Sequence, residues 1–258
     1  MTRRIINTLS SADPVLGRVI AAAGRYTLKP DSLRSPFQHL ARAIAHQQLN
    51  GTAANTILRR FVALFHDDAE KFPTPEQILA SDESAVRGAG FSFAKIRALK
   101  DLAQKKLDGV VPEAEELHKL TDAEIIERLT AVRGIGPWTV KMMLMFQLGR
   151  PDVMPADDFG VPHGFKVAYG LRELPPIKAL DAFAERWAPY RSAAAWYLWR
   201  AVDLHKEGKL PKPPAARPKM PRVKPRRKNA TKPVSKRALH QSRADRKPHR
   251  QPRSRNPR

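Results

Sequence analysis

Apolar residues recur at helical spacing, so that residues 1 to about 208 read almost entirely as helices. In "SPFQHLARAIAHQQLNGTAANTILRRFVALF" they fall at Phe37, Leu40 and Ile44, and again at Ile57, Phe61, Val62 and Phe65. Spacings of three and four place each set on one helix face, so the pattern predicts two helices around a polar connection, with Gly51 near the break. Upstream, "SADPVLGRVIAAAGRY" puts Asp13 at an N-cap and Pro14 at the first helical position, both favourable for initiation. Further helices are predicted from Pro75 and from Ser92, separated by Gly88 and Gly90 and stopped by Gly109. Thr121 and Glu124 fit a capping box ahead of Ile125, Ile126, Leu129 and Val132, and Val140, Met143, Leu144 and Leu148 continue an apolar face. "PPIKALDAFAERWAPYRSAAAWYLWRAVDLHKEG" adds helix interrupted at Pro189. No convincing set of alternating strands occurs, so the predicted fold class is all-α.

Composition divides the chain. Its 258 residues, 42% of them hydrophobic, suffice for one large compact domain or two small ones. The net charge of +22 points to polyanionic partners such as nucleic acid. From Pro211 onward there are 18 Lys/Arg, ten Pro and a single Asp, whereas residues 1–210 hold 29 Lys/Arg and 24 Asp/Glu. A segment so poor in aliphatic residues cannot offset its chain entropy by burial, so 211–258 reads as a disordered Pro/Lys/Arg-rich tail on a helical domain of residues 1–210. Its composition fits either a solubilising extension or sequence-independent phosphate binding. The absence of cysteine excludes disulfides, thiolate zinc sites and Cys-ligated iron–sulfur clusters. Neither a secretory signal nor a membrane span is recognisable, which predicts a soluble intracellular protein.

The candidate chemistry lies in "LTAVRGIGPWTVKMMLMFQLGRPDVMPADDFG", residues 129–160. Gly134 and Gly136 are expected to take backbone angles closed to other residues, and Pro137 to open the second helix of a helix–hairpin–helix. Such a turn is either a tight connector, or a cradle in which exposed amides at a helix N-terminus receive a phosphate. Asp157 and Asp158 are likewise either N-caps of the next helix or a carboxylate poised for chemistry.

These residues resemble the helix-hairpin-helix DNA glycosylases, specifically the 3-methyladenine DNA glycosylase II type. Besides "LTAVRGIGPWTVKMM" and "RPDVMPADDFG", the likeness is carried by "FQHLARAIAHQQLNGTAA", "GFSFAKIRALKDLA" and "WAPYRSAAAWYLW", in the family's order, over roughly residues 11–205. It implies two helical subdomains with a cleft between them, a hairpin that grips the DNA backbone through Gly134, Gly136 and Thr139, and extrusion of a damaged base from the duplex. The carboxylate of Asp158 would stabilise the positive charge that develops on the sugar and orient the attacking water, with Asp157 as a cap or supporting group. Trp138 and Trp199, with Met142 and Phe159, would form the base pocket, where aromatic faces favour a cationic alkylated purine. Gln48 would fill the space left in the stack, with Gln47, Leu49 and Asn50 beside it.

Family members that also cut the strand resemble one another in having a lysine where this chain has Trp138, so the resemblance implies a monofunctional enzyme. Lys141 then reads as a solvated or phosphate-facing lysine. His46 and His163 read as surface or satisfied histidines. No cofactor is required, although the family hairpin can hold Na+ or K+ through backbone carbonyls, here those of Thr130, Val132 and Ile135. The expected partner is double-stranded DNA containing damaged bases, the expected state a monomer without membrane association. Its expected location is cytoplasmic and nucleoid-associated if bacterial, nuclear if eukaryotic. The β-rich N-terminal domain of some members is not expected, since the helical pattern starts by residue 14. A different damaged base, such as hypoxanthine or ethenoadenine, and a non-catalytic DNA-binding role are the alternatives.

Overall fold

The computed structural model describes residues 2–31, 34–68, 71–215 and 218–221. Among these residues the chain forms thirteen α-helices and one 3₁₀ turn, with no strand. The helices are α1 (Thr2–Ala12), α2 (Pro14–Ala23), α3 (Pro36–His46), α4 (Gly51–Val62), α5 (Pro75–Ala80), α6 (Glu83–Gly88), α7 (Phe93–Leu107), α8 (Ala114–Leu117), α9 (Asp122–Leu129), α10 (Pro137–Phe146), α11 (Gly160–Tyr169), α12 (Ile177–Ala184) and α13 (Arg191–Lys206). The 3₁₀ turn, Glu185–Trp187, follows α12 directly.

Local chemistry sets most of the helix starts. Asp13 caps α2, accepting from the amides of Val15 and Leu16, and Ser35, Asn50 and Ser92 cap α3, α4 and α7. Each supplies an oxygen to an amide that has no partner inside the helix. The capping box of Thr121 and Glu124 forms as predicted. The break expected near Gly51 lies at residues 47–50, where Asn50 caps α4 and Gly51 opens it. Helix begins at Thr2, where Ile5 and Leu9 bury one face of α1. One expectation changes: the helix expected from Pro75 is two short ones, since Asp82 caps a new start at Glu83.

Two groups of helices share a continuous apolar core. The two ends of the chain build one group, in which α2, α11 and α13 pack together and α1 lies on α2 and the 3₁₀ turn. The middle of the chain builds the other, with α3 packed on α4, α7 and α10, α5 on α7, and α9 on α10. Backbones come close where α11 crosses α13: a Cβ on Gly164 would lie 1.9 Å from the Leu198 carbonyl oxygen, so only glycine fits. Contact with the body continues past residue 210. Arg18 donates to the Lys212 carbonyl at 3.2 Å, and Leu210 and Met220 pack at the margin of the core. These two apolar side chains hold a segment that composition alone assigns to the tail. Residues 222–258, and the disorder expected there, lie outside the described residues.

Candidate active site and DNA-binding surface

Asp158 lies on the connection between α10 of the middle group and α11 of the terminal group. Its Oδ2 accepts from the amides of Gly160 and Val161 at 2.7 and 3.0 Å, so it caps α11. The same oxygen accepts from the Trp199 indole at 2.7 Å, and Oδ1 accepts from the Trp138 indole at 2.9 Å. Trp138 comes from α10 and Trp199 from α13, so one indole from each group of helices fixes the carboxylate at their seam. All four partners are donors, which suits an ionised carboxylate, an acceptor only. The cap and the candidate catalytic group are therefore one residue. Trp199 stacks on Phe146 at 5.7 Å between centroids, and a Cβ on Gly160 would lie 2.6 Å from the Trp199 ring, so glycine lets the indole approach.

Asp157 does not cap a helix. Its carboxylate pairs with Lys141 at 2.7 Å, which corrects the reading of Lys141 as a solvated or phosphate-facing lysine. Trp138 and Lys141 are thus spaced by three residues along α10 and hold adjacent aspartates. Phe159 is 81% exposed, its ring against His163, whose Nδ1 lies 2.6 Å from the Phe159 carbonyl oxygen.

A pocket of about 510 Å³ opens beside Trp138, with His39, His46 and Gln48 on one wall and Trp138, Thr139 and Met142 on the other. Of the expected base-pocket residues, Trp138 and Met142 line it; Trp199 and Phe159 do not, although Trp199 reaches the carboxylate. His39 was not singled out by the sequence. Burial, then the charges of Arg34 and Arg42, bring its pKa down to about 4, leaving a neutral imidazole on the wall at neutral pH. The stripe His39, Ala43 and His46 at spacings of four and three could have revealed this face of α3. Another pocket, of about 520 Å³ around Tyr26, Arg25 and Tyr190, contains none of the expected site residues.

The hairpin forms between α9 and α10. Gly134 takes φ +76°, a backbone conformation that disfavours side-chain-bearing residues, whereas Gly136 is extended at φ −103° and does not need that freedom. What Gly136 contributes is open space and the absence of a capping side chain: α2 to α7 and α9 start on side-chain caps, but α10, like α8, α12 and α13, does not. First-turn amides without a cap are donors suited to a phosphate. Thr139 is buried, at 6% exposure, behind that turn. Thr130 ends α9, with its hydroxyl donating to the Ile126 carbonyl, and the Val132 carbonyl accepts from the Ile135 amide at 3.1 Å. Each carbonyl oxygen has two lone pairs, so the neutral carbonyls of Thr130, Val132 and Ile135 have the donor chemistry that a hard monovalent cation takes.

Opposite the hairpin, the connection between α3 and α4 exposes Gln48, Leu49 and Asn50. Gln48 alone among the described non-glycine residues has a positive φ, +58°. Asn50 uses its side-chain oxygen to cap α4, and Gln47 donates to the Gly134 carbonyl at 2.8 Å, bridging to the hairpin.

A helix–hairpin–helix beside a cleft carboxylate, on an all-helical two-part fold, defines a class of base-excision proteins, and comparison places the chain within it. Residues 41–189 match the family described as HhH-GPD superfamily base excision DNA repair protein. The chain is 41% identical over 199 residues to DNA-3-methyladenine glycosylase 1 of Schizosaccharomyces pombe, covering 76% of this chain and 86% of that protein. Among solved structures, the S. pombe 3-methyladenine DNA glycosylase bound to abasic DNA aligns with a TM-score of 0.69 at 39% identity, covering 78% of this chain and 97% of the other. A DNA-3-methyladenine glycosidase from Bacillus halodurans aligns at 0.70 and 34%, covering 79% and 91%. The chain belongs to the HhH-GPD superfamily of base excision DNA repair proteins.

Proposed function

We propose that this protein is a monofunctional DNA glycosylase that excises alkylated purines, 3-methyladenine and 7-methylguanine, from duplex DNA in base excision repair. The observation that carries the proposal is the Asp158 carboxylate, held by Trp138 and Trp199 and capping α11. Cleaving an N-glycosidic bond develops positive charge on the deoxyribose, and a fixed anion at the cleft stabilises it without reorganising. The same carboxylate orients the attacking water. Methylation at N3 or N7 gives the purine a positive charge and makes it a good leaving group, so a strong general acid is unnecessary. Trp138, 44% exposed, offers the cation an aromatic face beside Met142, and the neutral His39 opposite adds no repelling charge.

Hydrolysis without strand cleavage follows from the amines present. Position 138 carries an indole, and the nearby amine of Lys141 is engaged by Asp157. The hairpin amides grip the backbone and Gln48 enters the stack. A monovalent cation on the carbonyls of Thr130, Val132 and Ile135 would add positive charge beside the phosphate. The protein acts as a monomer on chromosomal DNA; no helix among the described residues is long and apolar enough to cross a membrane.

The test is base release from methylated duplex DNA by wild type and Asp158→Asn. Release by wild type and a fall on the order of 10³-fold in the variant are expected. Unchanged release by the variant would remove the mechanism, and none by wild type would favour a DNA-binding module. Parallel substrates carrying hypoxanthine or ethenoadenine measure the base preference, and nicking by the enzyme alone would contradict hydrolysis without lyase action. Deleting residues 222–258 should weaken binding and flatten its salt dependence while leaving single-turnover excision at saturation intact.

A further inference from the structure

Gln48 holds a left-handed conformation that side-chain-bearing residues rarely adopt, and such strain persists only where the surroundings over-determine it. Helix α7 supplies the determination. Lys95, in its first turn, donates to the carbonyls of Ala45 and Gln47, both at 2.8 Å, tying the end of α3 to α7 on either side of His46. The ammonium meets the carbonyls that the end of α3 leaves unpaired, where the helix dipole favours a cation. Partial burial lowers the Lys95 pKa, so its charge is set into the fold rather than freely solvated.

The same helix holds the hairpin. Three residues on from Lys95, the Ala98 methyl lies 3.4 Å from where a Cβ on Gly134 would be, so the hairpin turn rests on α7. Three residues further, Asp101 accepts from the Arg133 amide at 2.7 Å. Gln47 then closes the arrangement from the other side through the Gly134 carbonyl. Two surface features from distant parts of the chain are therefore pinned to one face of a helix that itself contributes no residue to the pocket.

We propose that α7 is the strut that sets the Gln48 wedge against the hairpin: Lys95 is a positioning residue that acts on base extrusion rather than on chemistry, while Asp101 holds the hairpin end of the strut. The proposal rests on the glycosylase reading for its link to excision, but the strut itself is testable without base release. Insertion of the wedge into DNA carrying a stable abasic analogue is read by the fluorescence of 2-aminopurine opposite the analogue, a measurement that needs no bond cleavage.

Lys95→Met should reduce the fluorescence change on binding, and single-turnover excision with it by about tenfold, an effect of the size that small misplacements produce. Lys95→Arg, which keeps a cationic donor, should recover part of the loss. Because Lys95 acts through Gln48, the loss should nearly vanish in a Gln48→Ala background. Gln47→Ala, which removes the bridge to Gly134, should behave the same way without touching the lysine. An equal loss from Lys95→Met with and without Gln48 would overturn the proposal. So would a loss that merely tracks thermal stability, or an unchanged fluorescence response. If wild type binds abasic DNA and gives this fluorescence pattern but releases no base, the glycosylase reading fails and the strut stands.

Discussion

Two aspartates solve the same local problem in the same way and differ in their access to solvent. Asp13 accepts from the first-turn amides of α2 through Oδ1, and from the Tyr169 hydroxyl and the Trp187 indole through Oδ2 at 2.6 and 3.1 Å. Asp158 accepts from the first-turn amides of α11 and from two indoles. Each thus joins a helix start to two aromatic donors from elsewhere in the chain. Asp13 is 3% exposed, closed in by α11 and the 3₁₀ turn; Tyr169's own burial, then the charge of Asp13 and the hydrogen bond to it, push the Tyr169 pKa well above its ordinary value. Asp158 is only half-buried and is flanked by exposed Phe159 and by Trp138. Hydrogen bonding alone does not single out Asp158 as the candidate for chemistry. Its access for a substrate does.

The largest expected effect breaks the pair by function. Asp158→Asn should cost on the order of 10³ in base release while shifting stability by no more than about 1 kcal/mol, since asparagine also caps helices. Asp13→Ala should do the converse. Losing the cap and leaving the buried Tyr169 hydroxyl and Trp187 N–H unpaired costs about 3 kcal/mol. That is a fall of roughly 10 °C in Tm for a chain of this size. Excision by the folded fraction should stay within about twofold of wild type. Thermal melts and single-turnover excision on both variants decide it; equal losses of activity at matched folded fraction would mean that the two carboxylates are not divided in this way.

The sequence revealed one half of this comparison far better than the other. Capping is local, so Asp13, Ser92, Thr121 and the hairpin glycine at 134 are legible from a few neighbouring residues. The aromatic partners are not. Tyr169 and Trp187 lie 156 and 174 residues from Asp13, and Trp138 and Trp199 lie 20 and 41 residues from Asp158. Only the resemblance to known glycosylases singled out Asp158 over Asp157, because spacing gives both the same N-cap pattern. The φ of Gln48 and the reach of Lys95 carry no sequence signature, since they depend on where α7 packs. The start of helix α1 is hard to place for a different reason: its two buried positions, Ile5 and Leu9, make too short a pattern to mark a boundary.

A smaller effect sharpens the contrast between core and cleft through pH. His39 on the pocket wall has its pKa brought down to about 4, against about 6.5 in an unfolded chain. Between those values the unfolded state binds the proton first. The stability from this neutral imidazole is therefore complete above pH 6.5 and is lost as pH falls toward 4. The slope is at most about 1.4 kcal/mol per pH unit and less in practice, because the side chain is partly exposed. His39→Gln should flatten the dependence of Tm on pH between 4.5 and 6.5, and an unchanged slope would assign the titration elsewhere.

The smallest expected effect concerns a tie that the Asp158 turn has and Asp13 lacks. Lys141 and Asp157 pair at 2.7 Å with side chains 21% and 30% exposed, so the attraction is partly screened and the coupling should be about 0.5–1 kcal/mol in a double-mutant cycle on stability. A weak pair can still hold a turn in register: with Trp138 on Asp158 and Lys141 on Asp157, α10 grips adjacent residues from positions three apart. Lys141→Met and Asp157→Asn should therefore each lower excision by about threefold or less, and the double variant by no more than either alone. Independent, multiplying losses would show that Lys141 meets the DNA directly and that its pairing with Asp157 is incidental to the chemistry.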